Sequence, residues 1–174
     1  MSIETIKAAL RSVPDFPKKG INFIDITPVL QDFAAFSEVV ELLAERYSDM
    51  NVDYVTGIES RGFIFAAPLA LRLGCGFVPI RKAGKLPFCT IAETYELEYG
   101  SATIEIHEDA VTPGSKVLIV DDLLATGGTV SAAARLLEKL NAEIVGIEFV
   151  IELDFLKGRK KLDAYPVNSL IVFK

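Results

Sequence analysis

Short apolar runs alternate with longer segments of helical periodicity along most of this chain. The short runs are rich in β-branched residues, as in VLIV, which is typical of strands covered on both faces. Residues 128–140 instead place Val130, Ala133, Leu136, Leu137 and Leu140 at helical spacing. The alternation predicts an α/β fold with a central, mainly parallel sheet flanked by helices on both faces. The predicted strands cover residues 53–56, 77–80, 117–120 and 144–151.

Cap and breaker residues mark the ends of two further predicted helices. Ser37 is placed to cap a helix with a buried stripe formed by Val40, Leu43, Ala44 and Tyr47. The apolar run FIFAAPLALRLG is long enough for another helix, with Gly74 as its stop. Pro68 inside that run predicts a kink or the first turn of a second helical piece.

Three segments do not follow the alternation. The N-terminal part is rich in turn residues, and we expect it to form a small hood over one end, at about residues 1–35. Residues 82–93 lack periodicity and predict a long loop, followed by a hairpin formed by TYELEYG and SATIEIH beside the sheet. The chain, residues 1–174, is thus expected to be one domain with a hood and a flexible loop at about 82–100.

Charge and composition exclude several classes of protein. The net charge is −6 and the pI is about 4.9, which argues against a nucleic-acid partner. The longest apolar run, residues 63–71, is about half of the ~20 residues that a spanning helix needs, so no membrane partner is expected. Cys75 and Cys89 lack metal-ligand spacing, and His107 is predicted to be an exposed strand residue. We expect a soluble, cytoplasmic protein.

The stretch VLIVDDLLATGGT combines features that suit a ligand with two different ends. A glycine-rich turn that opens a helix offers free N–H groups and the positive end of the helix dipole to an anion. The two acids before it accept hydrogen bonds and suit vicinal hydroxyls or a metal ion. Both acids reach one ligand only if the strand is already ending there. A sugar phosphate satisfies these requirements.

Two simpler interpretations compete with that one. The acids could merely end a strand while the glycines turn the chain. They could also be a Walker-B element, which requires a phosphate loop with the pattern GxxxxGK[ST]. GIESRG has the glycine spacing but continues with Phe63 and Ile64, so an ATPase is rejected.

The motif VLIVDDLLATGGT resembles the PRPP-binding signature of the type I phosphoribosyltransferases over all thirteen residues. Four further stretches resemble the adenine-using branch of that family, in the same order: DFPKKGINFIDITPVL, GIESRGFIFAAPLA, IRKAGKLP and YELEYG. The resemblance implies transfer of a phosphoribosyl group from PRPP to adenine, giving AMP and pyrophosphate, with Mg²⁺ carried on the pyrophosphate. It also implies a homodimer.

The resemblance also assigns roles to residues at both ends of PRPP. The ribose hydroxyls fall to Asp121 and Asp122. The pyrophosphate would be bound by residues around a non-proline cis bond between Glu59 and Ser60, and by cations that flank the loop. The loop, residues 82–97, would close over the ligand and exclude water. The 5′-phosphate residues are Ala125, Thr126, Gly127, Gly128 and Thr129; the pyrophosphate residues are Glu59, Ser60, Arg61, Arg81, Lys82, Lys85 and Tyr99.

For the base, the resemblance implies Glu98 as the residue that handles the proton of adenine, with Arg61 stabilising the leaving pyrophosphate. Adenine itself would contact Asn22, Phe23 and Ile24 of the hood. Many relatives have arginine in place of Ile24, and the 6-oxopurine enzymes have aspartate in place of Ala125. Two alternatives remain open: a PRPP-binding regulator without catalysis, and a sister transferase acting on xanthine or orotate.

Overall fold

The computed structural model describes residues 2–97 and 100–174 and contains two sheets. In its described part, no helix combines the length and apolar character that crossing a membrane requires. The strands are β1 (Arg11–Pro14), β2 (Asn22–Asp25), β3 (Tyr54–Ile58), β4 (Gly76–Lys82), β5 (Thr90–Glu96), β6 (Ser101–His107), β7 (Lys116–Leu124), β8 (Glu143–Leu153) and β9 (Val167–Phe173). The helices are α1 (Ile3–Ala9), α2 (Thr27–Gln31), α3 (Phe33–Tyr47), α4 (Gly62–Leu73) and α5 (Gly128–Lys139).

The large sheet has the strand order β5-β6-β4-β3-β7-β8-β9. Strands β4, β3, β7, β8 and β9 run parallel, whereas β6 pairs antiparallel with β4 and β5. The predicted α/β architecture with a mainly parallel sheet is therefore confirmed. The smaller sheet pairs β1 with β2 in the N-terminal part, where the hood was predicted.

Helices cover both faces of the large sheet. Leu118 and Val120 of β7 face a core shared with α3 and α4, while Val117 and Ile119 face a second core shared with α5. This explains why the apolar run of β7 is continuous rather than alternating.

Two predicted helix boundaries are corrected. Ser37 lies inside α3, which begins at Phe33, and the cap is Asp32, whose carboxylate accepts hydrogen bonds from the N–H groups of Ala34 and Ala35. The helix begins one turn earlier than predicted, so its first free N–H groups lie at Ala34 and Ala35, where the Asp32 carboxylate accepts them. Helix α4 is a single element with Pro68 inside it, and it ends as predicted at Gly74, which has φ 73°.

The predicted long loop at residues 82–93 is wrong in its extent. Strand β4 continues to Lys82 and β5 begins at Thr90, so the connection covers only residues 83–89. The hairpin of β5 and β6 is as predicted, and it joins the large sheet through the pairs Arg81–Glu105 and Lys82–Ile104. Backbone pairing with β6 gives this stretch the regularity that its side chains did not indicate.

Candidate active site

Three parallel strands bring the predicted ligand-binding turns to one edge of the sheet. Strands β3, β7 and β8 run in the same direction, so their carboxyl ends meet there. Residues 59–61 follow β3, residues 125–127 follow β7, and two short 3-10 helices, Asp154–Leu156 and Gly158–Leu162, follow β8. In open α/β sheets ligands bind outside this edge.

The phosphate turn, residues 125–129, leads from β7 into α5. Gly127 has φ 75°, and a Cβ there would overlap the carbonyl oxygen of Gly158, so the turn packs directly on the second 3-10 helix. Among the described residues no side chain caps α5, and its first N–H groups therefore face outward. The cavity at this turn has a volume of about 80 Å³, which exceeds the ~30 Å³ that one water molecule occupies and suits a small anion.

The acidic pair lies beside the phosphate turn, but β7 does not end before it. The strand continues through both acids to Leu124 because the longer β8 supplies backbone partners as far as Glu152. The prediction that the strand ends there is thus wrong. Even so, Asp121 and Asp122 line the same cleft, of about 280 Å³. The side chains come together because Arg61 Nε lies 2.9 Å from Asp122 Oδ2, and the Asp122 N–H donates to Asp121 Oδ1 at 2.9 Å.

Both carboxyl groups have perturbed pKa values. Burial raises the pKa of Asp121 well above its usual value, and the charge of Asp122 raises it further. Burial also raises the pKa of Asp122, although the Arg61 guanidinium opposes this effect. A ligand that donates hydrogen bonds to the pair would stabilise its ionised form, and such groups cluster at functional sites.

Predicted pyrophosphate residues line the opposite side of that cleft. The bond between Glu59 and Ser60 is cis, as the resemblance implied. Arg61 and Lys82 line the cleft, whereas Arg81 is directed to Glu59, with Nε 3.2 Å from Oε2. The pKa of Glu59 is lowered by the Arg81 guanidinium and by the N–H of Lys82. The cleft residues are Ile58, Glu59, Ser60, Arg61, Lys82, Tyr95, Asp121, Asp122, Leu123, Ala125 and Thr129.

The three predicted adenine residues do not all face one cavity. Asn22 and Ile24 line an apolar cavity of about 460 Å³, together with Phe155 and Leu156. Phe23 points to the other side of β2, as strand alternation requires, and its ring lies 5.9 Å from Cζ of Arg61. The side chains of β2 therefore divide between two surfaces.

Several residues at this edge were not predicted. Tyr95 accepts a hydrogen bond from the Thr129 hydroxyl at 3.1 Å, which places the hairpin over the phosphate turn. A Cβ on Gly128 would lie 3.9 Å from Lys161 Nζ. The Lys161 ammonium group therefore lies beside the phosphate turn, which contains no cationic residue of its own. The signal available in the sequence was LKGRKKL, a glycine with cations directly after a strand.

Two predicted residues, Glu98 and Tyr99, lie outside the described residues. His107 lies in β6, half-buried, with Nε2 2.6 Å from the Pro87 carbonyl oxygen. In the described ranges, no cluster of three or more His, Cys, Asp or Glu side chains is placed to bind a metal ion.

Known proteins that are similar to this chain support the assignment of the site to this edge of the sheet. Residues 27–173 match the family model of the phosphoribosyl transferase domain. An adenine phosphoribosyltransferase of Thermoanaerobacter sp. (strain X514) is 57% identical over 173 residues, covering 99% of this chain and 100% of that protein. The crystal structure of the adenine phosphoribosyltransferase from Thermoanaerobacter pseudethanolicus has a TM-score of 0.95 at 56% identity, covering 99% of this chain and 100% of that one. The enzyme of Saccharomyces cerevisiae, complexed with an imino-altritol bisphosphate and adenine, has a TM-score of 0.92 at 47% identity and 97% coverage of both chains.

The parallel sheet, the acidic pair and the phosphate turn define the class, a type I phosphoribosyltransferase. Within that class, the identity over nearly the full length is more specific. The chain belongs to the adenine phosphoribosyltransferase family.

Proposed function

We infer that this chain transfers the 5-phosphoribosyl group of PRPP to N9 of adenine, giving AMP and pyrophosphate, as a step of purine salvage. The observation that carries the inference is the cleft that joins the acidic pair, Arg61 and Lys82 to the edge of the phosphate turn. PRPP carries a phosphate, a diol and a pyrophosphate, and the cleft offers a matching group for each of them. The family relationship supplies adenine as the acceptor.

The 5′-phosphate binds in the phosphate turn, where the N–H groups at the start of α5 and the hydroxyl of Thr126 donate to its oxygens. The Thr129 hydroxyl donates to the phosphate in place of its hydrogen bond to Tyr95. The ribose hydroxyls donate to Asp121 and Asp122. Hydroxyl donation stabilises the charged carboxylates and offsets the burial that raises their pKa values. These two sets of contacts fix C1 of the ribose at the mouth of the cleft.

The bond from C1 to the pyrophosphate oxygen breaks as the bond from N9 to C1 forms, so negative charge grows on the leaving group. That charge is stabilised by Arg61, Lys82 and Lys85. Arg81 supports the backbone turn that carries the two lysines. The remaining residues of the pyrophosphate site are Glu59, Ser60 and Tyr99. Mg²⁺ would be held mainly by the phosphates of PRPP, and the carboxylates that line the cleft and could complete its coordination are Glu59, Asp121 and Asp122. Such an ion would neutralise part of the pyrophosphate charge.

The acceptor base binds between the hood and the end of β8. Backbone groups of Asn22 and Ile24 read the edge of adenine, and Phe23 packs near Arg61. Glu98 takes up the proton that adenine loses. Ala125, without a carboxylate, leaves the proton transfer at N7 to Glu98, which favours the 6-amino purine over 6-oxopurines.

The hairpin of β5 and β6 excludes water from the cleft. Tyr95 already reaches Thr129 across the phosphate turn, and the backbone of Glu96 passes close to Gly128. Closure over bound PRPP by the part of residues 82–97 that follows Lys85 protects PRPP from hydrolysis.

We also propose that the chain is a homodimer in the cytoplasm. Phe33 and Leu71 are 85% and 84% exposed, and the rings of Phe63 and Phe77 form an edge-to-face pair near the surface. Apolar side chains exposed to this degree suit burial against a second copy. Sedimentation of the purified chain would report the dimer, and a monomer at all concentrations would contradict it.

The reaction is tested by incubating the chain with Mg²⁺, PRPP and adenine, hypoxanthine, guanine, xanthine or orotate in separate assays. AMP formed from adenine alone supports the proposal. Binding of PRPP without turnover would indicate a regulator, and product from another base would indicate a sister transferase.

A further inference from the structure

Glu105, in the middle of β6, is a buried carboxylate whose hydrogen-bond partners are neutral groups. Its side chain accepts hydrogen bonds from the N–H of Gly84, from the N–H of Lys85 at 3.1 Å and from the Thr90 hydroxyl at 3.2 Å. It is 7% exposed. A buried charge without a cationic partner is costly, and backbone donors arranged around it are the compensation.

The donors belong to the segment that presents the predicted pyrophosphate cations. This segment, residues 81–86, is called the cationic turn. Its centre is Gly84, with φ 79°, and it is held from two sides. Glu105 binds the N–H of Lys85, while Arg81 Nη1 donates to the carbonyl oxygen of Lys85 at 3.1 Å.

A second carboxylate fixes the start of the same turn. Glu59 accepts hydrogen bonds from the Arg81 guanidinium and from the N–H of Lys82 at 3.1 Å. The backbone at Lys82 and Lys85 is therefore fixed by carboxylates. Within residues 2–97 and 100–174, neither ammonium group forms a hydrogen bond or ion pair, although the charge of Lys85 acts on Glu59. Glu59 already belongs to the predicted pyrophosphate site, but Glu105 does not.

The charge state of Glu105 agrees with this geometry. Burial raises its pKa, but hydrogen bonds from the N–H groups of Lys85, Gly84 and Leu86 outweigh burial, and the pKa lies below its usual value. The group is thus a permanent anion inside the turn at neutral pH. Charged acceptors form stronger hydrogen bonds than neutral ones, so the turn is ordered more firmly than an amide would order it.

We propose that Glu105 is a positioning residue for pyrophosphate: it organises the cationic turn so that Lys82 and Lys85 are in place before PRPP binds. This rests on the proposed function. Ordering the turn in advance removes a conformational cost that binding would otherwise include. A merely structural Glu105 would instead support the hairpin and affect both ends of the cleft alike.

Two ligands separate these roles because each occupies one end of the cleft. Pyrophosphate contacts only the cationic side, whereas AMP carries the 5′-phosphate and ribose but no pyrophosphate. Calorimetry with Mg²⁺ on Glu105→Ala should show pyrophosphate affinity reduced about tenfold, the scale of a hydrogen bond to a charged group, with AMP affinity unchanged within about twofold. The KM for PRPP should rise in parallel.

Glu105→Gln keeps the size of the side chain and one acceptor, so pyrophosphate affinity should fall less, about threefold. Glu148→Gln is the matched control: Glu148 is a buried carboxylate of β8 bound to Arg46 and Tyr47, and its loss should not separate pyrophosphate from AMP. Equal weakening of both ligands in the Glu105 variants, or unchanged pyrophosphate affinity, would overturn the proposal. Should Glu105→Ala not fold, Glu105→Gln decides by the same criterion. Wild-type protein that forms no AMP and binds neither ligand would refute the proposed function itself.

Discussion

The two ends of the cleft are built in different ways. The phosphate turn is made of backbone, with Gly127 pressed against Gly158 and N–H groups facing outward. The cationic turn depends on long side chains, and its backbone is fixed by Glu59 and Glu105. Ligand binding at the phosphate turn should be lost when an added side chain clashes with its backbone. Ligand binding at the cationic turn should be lost when a charged group is removed. In the proposed reaction, the end that keeps its phosphate is thus the rigid one, and the end that binds the leaving group uses side chains that can adjust.

Gly127→Ala should have the largest effect, because the new Cβ overlaps the Gly158 carbonyl and φ 75° disfavours any side chain. AMP affinity should be lost, and unfolding free energy should fall by about 3 kcal/mol, as for other substitutions that combine strain with overlap. Calorimetry and thermal denaturation measure the two effects.

Gly114→Ala is the control for Gly127→Ala. Gly114 also has positive φ, 82°, but nothing lies within 4 Å of its added Cβ. It should lose only about 1 kcal/mol and no AMP affinity. Equal behaviour of the two variants would mean that the contact with Gly158 does not shape the phosphate turn.

Glu98→Ala should lower kcat about 100-fold, the scale of one general acid or base, because the proposed role of Glu98 is to take up the proton of adenine. Affinities for AMP and pyrophosphate should stay within about twofold of wild type. Steady-state kinetics and calorimetry on one preparation test this separation. A kcat that does not change would remove Glu98 from the proton transfer.

Asp121→Asn should weaken PRPP binding about tenfold, since one charged acceptor for the ribose is lost. It should also raise the melting temperature at neutral pH. The pKa of Asp121 is raised in the folded protein, so its favourable contribution is present at low pH and is lost as pH rises from about 4, the unfolded pKa, through the folded pKa. The stability advantage of the variant should therefore grow as pH rises from about 4, and an advantage that shrinks with pH would contradict the burial argument.

Strands β3, β4, β7 and β8, the α5 helix and the turn at residues 125–129 were predictable because each depends on local sequence, whereas β1, β2 and β9 were not predicted. Buried parallel strands require continuous apolar runs, and a turn that approaches a phosphate requires small residues. Both the strand and the turn can therefore be predicted from VLIVDDLLATGGT alone. Gly74 as the stop of α4 follows from the same local logic.

Other features depend on partners far along the chain. The extension of β7 through Asp122 requires the length of β8, and the N–H groups of Gly84 and Lys85 are bound by Glu105, which is about twenty residues away. Neither of these partners is visible in the periodicity of the segment it controls. The cap at Asp32 is a local feature instead, and it was missed because the predicted apolar stripe begins only at Val40.

Lys161 gives the smallest and most discriminating test of the comparison between the two ends. The phosphate turn contains no cation, yet Lys161 Nζ lies near Gly128, on the exposed second 3-10 helix. If the phosphate end depends on backbone, Lys161→Met should lower AMP affinity only about threefold, as expected for an exposed charge, with the loss reduced at high salt. Lys160→Met, one residue earlier and equally exposed, should have no effect. A loss of a hundredfold or more would show that this end, like the other, is built on a side-chain charge, and the contrast between the two ends would disappear.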